Sequence, residues 1–169
     1  LFLRTWEWTI PEISLAYGVV TIIGGPLGIV LGGWIADRLY RSGYSVVMTE
    51  LPDPLMVRRT VAFGEAVYEG EVVVEGICGR LVQDVPAVWD ALRDGAVPVL
   101  VDPGAACLPE LDPAVLVDAI MAKHNTGTAI TDAPRVIALG PGFTAGVDCH
   151  VVVETNRGHY LGRAIYQGS

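Results

Sequence analysis

The sequence predicts an α/β fold, with a largely parallel or mixed sheet and flanking helices. Three observations carry that prediction. Short β-branched runs alternate with amphipathic stretches, as strands alternate with helices in βαβ units. Some of those runs, Val97–Val101 and Val136–Leu139, are apolar throughout, which suits strands buried on both faces. Polar and titratable residues collect where the runs stop, and the first forty residues form a very apolar segment of a different character.

That segment admits two readings. From Ile13 to Ala36 there are 24 residues without a charge. As one helix they would span roughly 36 Å, enough for a bilayer core. Trp6 and Trp8 precede the run and Arg38 and Arg41 follow it, as an interfacial anchor and a positive cytoplasmic flank would. Gly24, Gly28 and Gly32 recur every four residues, a small-residue face for helix packing. Residues 4–41, with Gly32-Gly33-Trp34-Ile35-Ala36-Asp37-Arg38 as the loop motif, resemble a transmembrane helix of a major facilitator transporter. The second reading is a strand at Val19–Ile23, a turn, a helix from Gly28 to Arg41 stopped by Gly43, and a strand at Ser45–Thr49 ending in Glu50. This would be a degenerate Rossmann-like βαβ unit, with Glu50 near the ribose-binding acid of dinucleotide sites. Its loop, Gly24-Gly25-Pro26-Leu27-Gly28, is not GxGxxG, and Pro26 lacks a backbone donor.

From residue 42 onward the elements follow in order. Asp53-Pro54 opens a short helix over Leu55–Phe63 carrying Arg58 and Arg59. Glu71–Glu75 and Ile77–Val82 read as strands. Asp84–Arg93 reads as a helix with Val85, Val88, Trp89 and Leu92 on one face, stopped by Gly95. Val97–Val101 is a strand closed by Asp102-Pro103-Gly104, and Ala114–Ile120 leans to strand. Val136–Leu139 and Val151–Val153 are strands flanking Gly140-Pro141-Gly142-Phe143-Thr144-Ala145-Gly146. That connection is either a ligand-binding glycine loop or a tight hairpin. The expected organisation is an apolar segment over 1–41 and a Rossmann-like α/β domain over 42–169. Beginning at Leu1 and stopping soon after a strand-like run, the sequence reads as a fragment at both ends.

Composition narrows the function. The 169 residues carry a net charge of −8, and the pI is near 4.7. That excludes a non-specific nucleic-acid binder, which needs a basic face. Mean hydropathy is +0.46, high because of the first segment. Cys78, Cys107 and Cys149 form no CxxC pair, so neither a disulfide framework nor a zinc site is expected.

Residues 38–169 resemble the YqeB-type proteins of the selenium-dependent molybdenum hydroxylase system. The resemblance rests on RLYRSGYSVVMTELPDPLMVRRTVAFGEAVYEGEVVVEG, VPVLVDP, VLVDAIMAKHN and GPGFTAGVDCHVVVETNRGHYLGRAIYQGS. It implies a cytoplasmic accessory factor that helps mature or insert the molybdenum cofactor. Its partners would be the hydroxylase apoprotein and other maturation factors. The alternatives are an enzyme acting on the molybdenum cofactor, by chalcogen or nucleotide transfer, and a non-catalytic fragment tethered to the inner membrane through residues 13–36. The family's first glycine loop reads GAGDLATG, where this chain reads LGIVLGGW over Leu27–Trp34, so a cofactor role falls on the later loop.

Candidate site residues follow. Gly140, Gly142, Phe143, Thr144 and Gly146 would offer backbone N–H groups and a hydroxyl to an anion, the phosphate of a molybdopterin-type cofactor or of an adenine nucleotide. Arg157 would add charge. Lys123, His124 and Asn125 would form a polar pocket with Asp132. Arg58 and Arg59 could grip a phosphate bidentately, with Glu50 as a further ligand contact. Weaker catalytic candidates are Cys149, for sulfur or selenium handling, and His150, Glu154 and His159. His150 and Glu154 stand four apart on one strand and share a face, too few for a metal site.

Overall fold

The structure is a computed structural model describing residues 39–54, 56 and 58–168. It divides into two compact units, one running to Val101 and the other from Asp102. Residues 13–36 of the proposed span, and the loop around Gly24–Gly28, lie outside the described residues.

In the first unit, a helical turn at residues 39–41 is closed at Gly43. Gly43 takes φ +84°, and its N–H reaches Tyr40 O at 2.9 Å while that of Tyr44 reaches Leu39 O at 3.1 Å. These paired bonds are the Schellman closure that favours glycine past a helix end. The sheet has the order β1-β4-β3-β2, from β1 (Met48–Glu50), β2 (Glu71–Val74), β3 (Ile77–Val82) and β4 (Val97–Val101). β1, β4 and β3 run parallel and β2 is antiparallel to β3. The β2–β3 turn puts Glu75 and Gly76 at φ 51° and 84°, the left-handed pair that a two-residue hairpin needs.

The parallel step from β3 to β4 requires a crossover, supplied by α2 (Val85–Arg93), which follows α1 (Ala66–Glu69) in the chain. Asp84 caps α2 by accepting the Ala87 N–H at 2.9 Å, satisfying one of its orphan donors. The buried face of α2 holds Val88 and Ala91, and Trp89 is 47% exposed. The sequence-derived face was therefore displaced by part of a turn. The expected helix over Leu55–Phe63 is also corrected. Arg59–Val61 and Phe63–Glu65 are 3₁₀ turns separated by extended Ala62, and the α-helix comes later, at α1. Phe63 is buried against the sheet, and a Cβ on Gly79 of β3 would lie 2.7 Å from its Cδ1. Gly79 thus opens the seat for the largest side chain of this core.

In the second unit, α3 (Leu108–Leu111) precedes β5 (Leu116–Asp118), β6 (Val136–Leu139), β7 (Val151–Val153) and β8 (Ala164–Ile165). The sheet order is β5-β6-β7-β8. The first three strands are parallel and β8 is antiparallel to β7. Val136, Ala138, Phe143, Ala145, Cys149 and Val152 build its core. Parallel pairing of β6 and β7 removes the hairpin alternative: residues 140–150 leave one end of the sheet and return to the other. Both sheets are mixed and flanked by helices. No helix among the described residues is long and apolar enough to cross a membrane.

Candidate functional site

The carboxyl ends of β5, β6 and β7 form one edge of the second sheet, where open α/β sheets place ligands. Gly140 leaves β6 at φ +90° and extends the ladder by donating to Val153 O at 3.0 Å. A Cβ there would meet Thr155 Oγ1 at 3.0 Å and Met121 Sδ at 3.6 Å. Gly140 is therefore the point where the connections after β5 and β7 converge on β6.

Two residues on, Gly142 has φ +102°, and a Cβ would stand 2.4 Å from His124 Cα and 2.8 Å from the Lys123 carbonyl carbon. No side chain fits, so the strap of residues 119–128 lies directly on the glycine loop. Met121 and Lys123 within it both take positive φ, 58° and 63°, a conformation unfavourable for residues with a Cβ.

The loop itself is largely closed on its own polar groups. Thr144 N–H goes to Asp148 Oδ2 at 2.7 Å. Ala145 N–H goes to Gly168 O, Gly146 N–H to Cys149 O, and Val147 and Asp148 both donate to Thr144 O. Pro141 has no donor. Within Gly140–Gly146, among the described residues, only the N–H groups of Gly142 and Phe143 have no protein acceptor. The five-residue donor set expected from sequence thus reduces to one adjacent pair, of which Phe143 as a whole residue is only 3% exposed.

The strap is held at both ends by Asp118, the one buried charged residue among those described. Its Oδ1 accepts the Ile120 N–H at 3.0 Å and its Oδ2 the Thr128 hydroxyl at 2.6 Å. Sequence reasoning passed over Asp118 as the end of an apolar run; an acid closing a buried strand was the available signal. The expected pocket of Lys123, His124, Asn125 and Asp132 divides into separate turns. Asn125 Oδ1 takes the N–H groups of Gly127 and Thr128, each at 2.8 Å, Asp132 takes that of Ala129 at 2.7 Å, and His124 Nδ1 lies 2.9 Å from Ala122 O. Lys123 is exposed and makes no ion pair among the described residues.

These distances belong to a chain whose sequence has a close counterpart. Over 134 residues it is 52% identical to the uncharacterized protein YqeB of Escherichia coli strain K12, covering 79% of this chain and 25% of that protein. Over that length the chain is YqeB-like. It spans about a quarter of the relative's length. No family model matches the chain, so the transporter-like reading of residues 4–41 gains no support there, and no solved structure matches it.

The remaining candidates of the YqeB-like chain fall at several places. Arg157 and His159 are exposed on the connection after β7, with no side-chain partner among the described residues. Glu154 Oε1 accepts the Asn156 N–H at 2.7 Å. His150 stands at the opposite end of β7, roughly 13 Å away by strand rise, so the two do not make a pair. Its Nδ1 accepts the Val136 N–H at 3.0 Å, which places any lone ring proton on Nε2. Its backbone N–H returns to Val136 O at 2.8 Å, so His150 splices β7 to β6. Cys149 is fully buried, and burial, helped by the Asp148 charge, raises its thiol pKa; a thiol held protonated is a poor nucleophile. Cys107 is pushed to about 11, by burial first and then by Asp102. The low pKa of Asp102 arises against its own burial, because N–H groups from Cys107, Ala106 and Gly104 favour the charged form.

In the first unit the arginine pair is split. Arg59 makes a bidentate pair with Glu65 at 2.6 and 2.7 Å and covers the Tyr68 ring at 4.5 Å, while Arg58 is exposed and has no ion-pair partner among the described residues. Glu50 ends β1 close against Gly64, where a Cβ would meet its Oε1 at 2.9 Å. Burial raises its pKa, opposed by the Leu51 N–H. No group of three His, Cys, Asp or Glu among the described residues could hold a metal. In the second unit, the Gly142 and Phe143 N–H groups lack acceptors, and Lys123 and Arg157 lack ion-pair partners, among the described residues.

Proposed function

We propose that this YqeB-like chain is a cytoplasmic accessory factor for selenium-dependent molybdenum hydroxylases, which binds an anionic cofactor and presents it to the apoprotein. The single observation carrying the binding part is the Gly142–Phe143 N–H pair, left without acceptors among the described residues beneath a strap whose one cation, Lys123, is exposed. Unpaired donors beside a cation favour negative charge. The hydroxylase part rests on the sequence resemblance of residues 38–169. The cofactor is a molybdopterin-type molybdenum cofactor, with an adenine nucleotide as the other anion of that class. Presentation fits better than catalysis, since the one thiol beside the loop is buried with a raised pKa. In the same reading the first unit is Rossmann-like, β1 standing as the second strand of a mononucleotide-binding half with Glu50 at its carboxyl end.

The test is titration of the full chain with molybdopterin-type cofactor and with adenine nucleotides, beside a Gly142→Val, Arg157→Ala variant that keeps a cooperative thermal transition. Saturable binding lost in the variant, together with capture of a molybdenum hydroxylase apoprotein, is the expected result. A folded wild type that binds neither cofactor nor nucleotide refutes the reading.

A further inference from the structure

The strap of residues 119–128 is attached to its unit almost entirely at its ends. None of its residues is buried, and no backbone–backbone hydrogen bond joins it to the rest of the described chain. Its interior bonds close on themselves. Asn125 accepts the Gly127 and Thr128 N–H groups and donates to Thr128 O at 2.8 Å, and His124 Nδ1 lies 2.9 Å from Ala122 O. The hydrogen bonds that leave the strap, among the described residues, end on Asp118, through the Ile120 N–H at one end and the Thr128 hydroxyl at the other.

Its backbone is strained as well. Met121 and Lys123 hold positive φ, a conformation that persists in side-chain-bearing residues only where the surroundings impose it. Here the surroundings are the glycine turn after β6. The Lys123–His124 backbone fills the space where a Gly142 Cβ would stand, and Met121 Sδ lies over buried Gly140. Segments with little buried surface and no backbone bonds to the body open at low free energy, separately from the whole. The strap has both properties, and release relieves its strain. What keeps it shut is the double bond to Asp118.

We infer that residues 119–128 form a hinged flap over the Gly140–Gly142 turn, latched by the Thr128 hydroxyl on Asp118, which opens while the sheet beneath it stays folded. The hinges are its two ends, Ala119 just beyond β5 and Ala129, whose N–H is held by Asp132. Opening frees the side of Gly142 that the strap backbone now fills and uncovers Gly140. The flap requires no ligand, so the inference stands apart from the binding reading above and survives its failure.

Lys123 is the one lysine of the sequence and sits mid-strap, so a lysine-specific endoproteinase cuts the chain only within the flap. In the native full chain, cleavage should proceed at a rate unchanged by urea below the global transition, because local opening exposes little surface. Thr128→Val removes the latch hydroxyl and should speed cleavage by about fivefold or more, whereas Thr128→Ser should keep the wild-type rate. Val152→Ala, in the core beneath, lowers global stability and should leave the rate unchanged. The chain nicked at Lys123 should retain a cooperative thermal transition. A rate that climbs with urea as global unfolding does, or that rises as much in Val152→Ala as in Thr128→Val, would mean that cleavage waits for the unit to unfold, and overturns the inference. Equal rates in wild type and Thr128→Val overturn the latch and the inference with it. So does a native chain that resists cleavage under conditions that cut the urea-unfolded chain.

Discussion

The His124 backbone occupies the space that a side chain at Gly142 would need, with Cα only 2.4 Å from the Cβ position. Neither segment can shift alone: Gly142 is fixed by φ +102° and the strap by Asp118 and Thr128. Gly142→Ala should therefore displace the strap as well as strain the loop, with a cost of about 1–3 kcal/mol. Chemical denaturation should show the loss, and limited proteolysis of the variant should cut first within residues 119–128.

The strap's anchor makes a second, separable prediction. Asp118 is 5% exposed and both its oxygens are occupied, one by the Ile120 N–H and one by the Thr128 hydroxyl at 2.6 Å. Thr128→Val removes the hydroxyl and leaves a buried carboxylate oxygen unpaired, a loss of about 1–3 kcal/mol. Asp118→Asn should be milder, because its amide oxygen still accepts. A double-mutant cycle of Asp118→Ala with Thr128→Val should return a coupling of about 0.5–3 kcal/mol. Additive losses would mean that the two residues act independently.

What the sequence made legible were features with a local cause. Gly43 and Gly95 end helices because only glycine adopts their positive φ cheaply, and Val97–Leu100 are all buried because both faces of β4 are covered. The carboxyl-end placement of Gly140 followed from the same logic. Pairing direction was not local. The hairpin alternative failed because β7 pairs with β6 in parallel, a long-range choice set by packing. The donor set was overestimated for a related reason: Asp148, Gly168 and Cys149 take loop N–H groups that local sequence left open. Trp89 misled because the apolar stripe it extends is completed by Val88 and Ala91, small residues that fit under α2. His150 was a weak catalytic candidate in the sequence, and its Nδ1 and backbone N–H both bond Val136.

Glu50 predicts a pH dependence. Its folded pKa lies above the ordinary 4.5 through burial, so between the two values the folded chain holds more protons than the unfolded one. Stability then falls as pH rises from the unfolded value through the folded one, the reverse of a salt-bridged acid. Glu50→Gln keeps an acceptor for the Leu51 N–H and removes the charge that burial disfavours. The variant should be at least as stable as wild type at neutral pH and should lose this part of the pH dependence. A variant clearly less stable than wild type at neutral pH would mean that the Glu50 charge is satisfied by a group not identified as its partner.

The cysteines separate presentation from chalcogen chemistry. Cys107 and Cys149 are buried with thiol pKa values raised, to about 11 for Cys107, and Cys78 is half-buried. A neutral thiol is not the attacking species. Near neutral pH a thiolate-selective reagent should modify Cys78 in the native chain and reach Cys107 and Cys149 only on unfolding, as peptide mapping can show. Cys149→Ser should leave cofactor binding unchanged but cost stability, because it places a hydroxyl in the core beside Ala138 and Val152. Rapid native labelling of Cys149 would instead restore a reactive thiol next to the glycine loop, and with it the chalcogen-transfer role that its burial argues against.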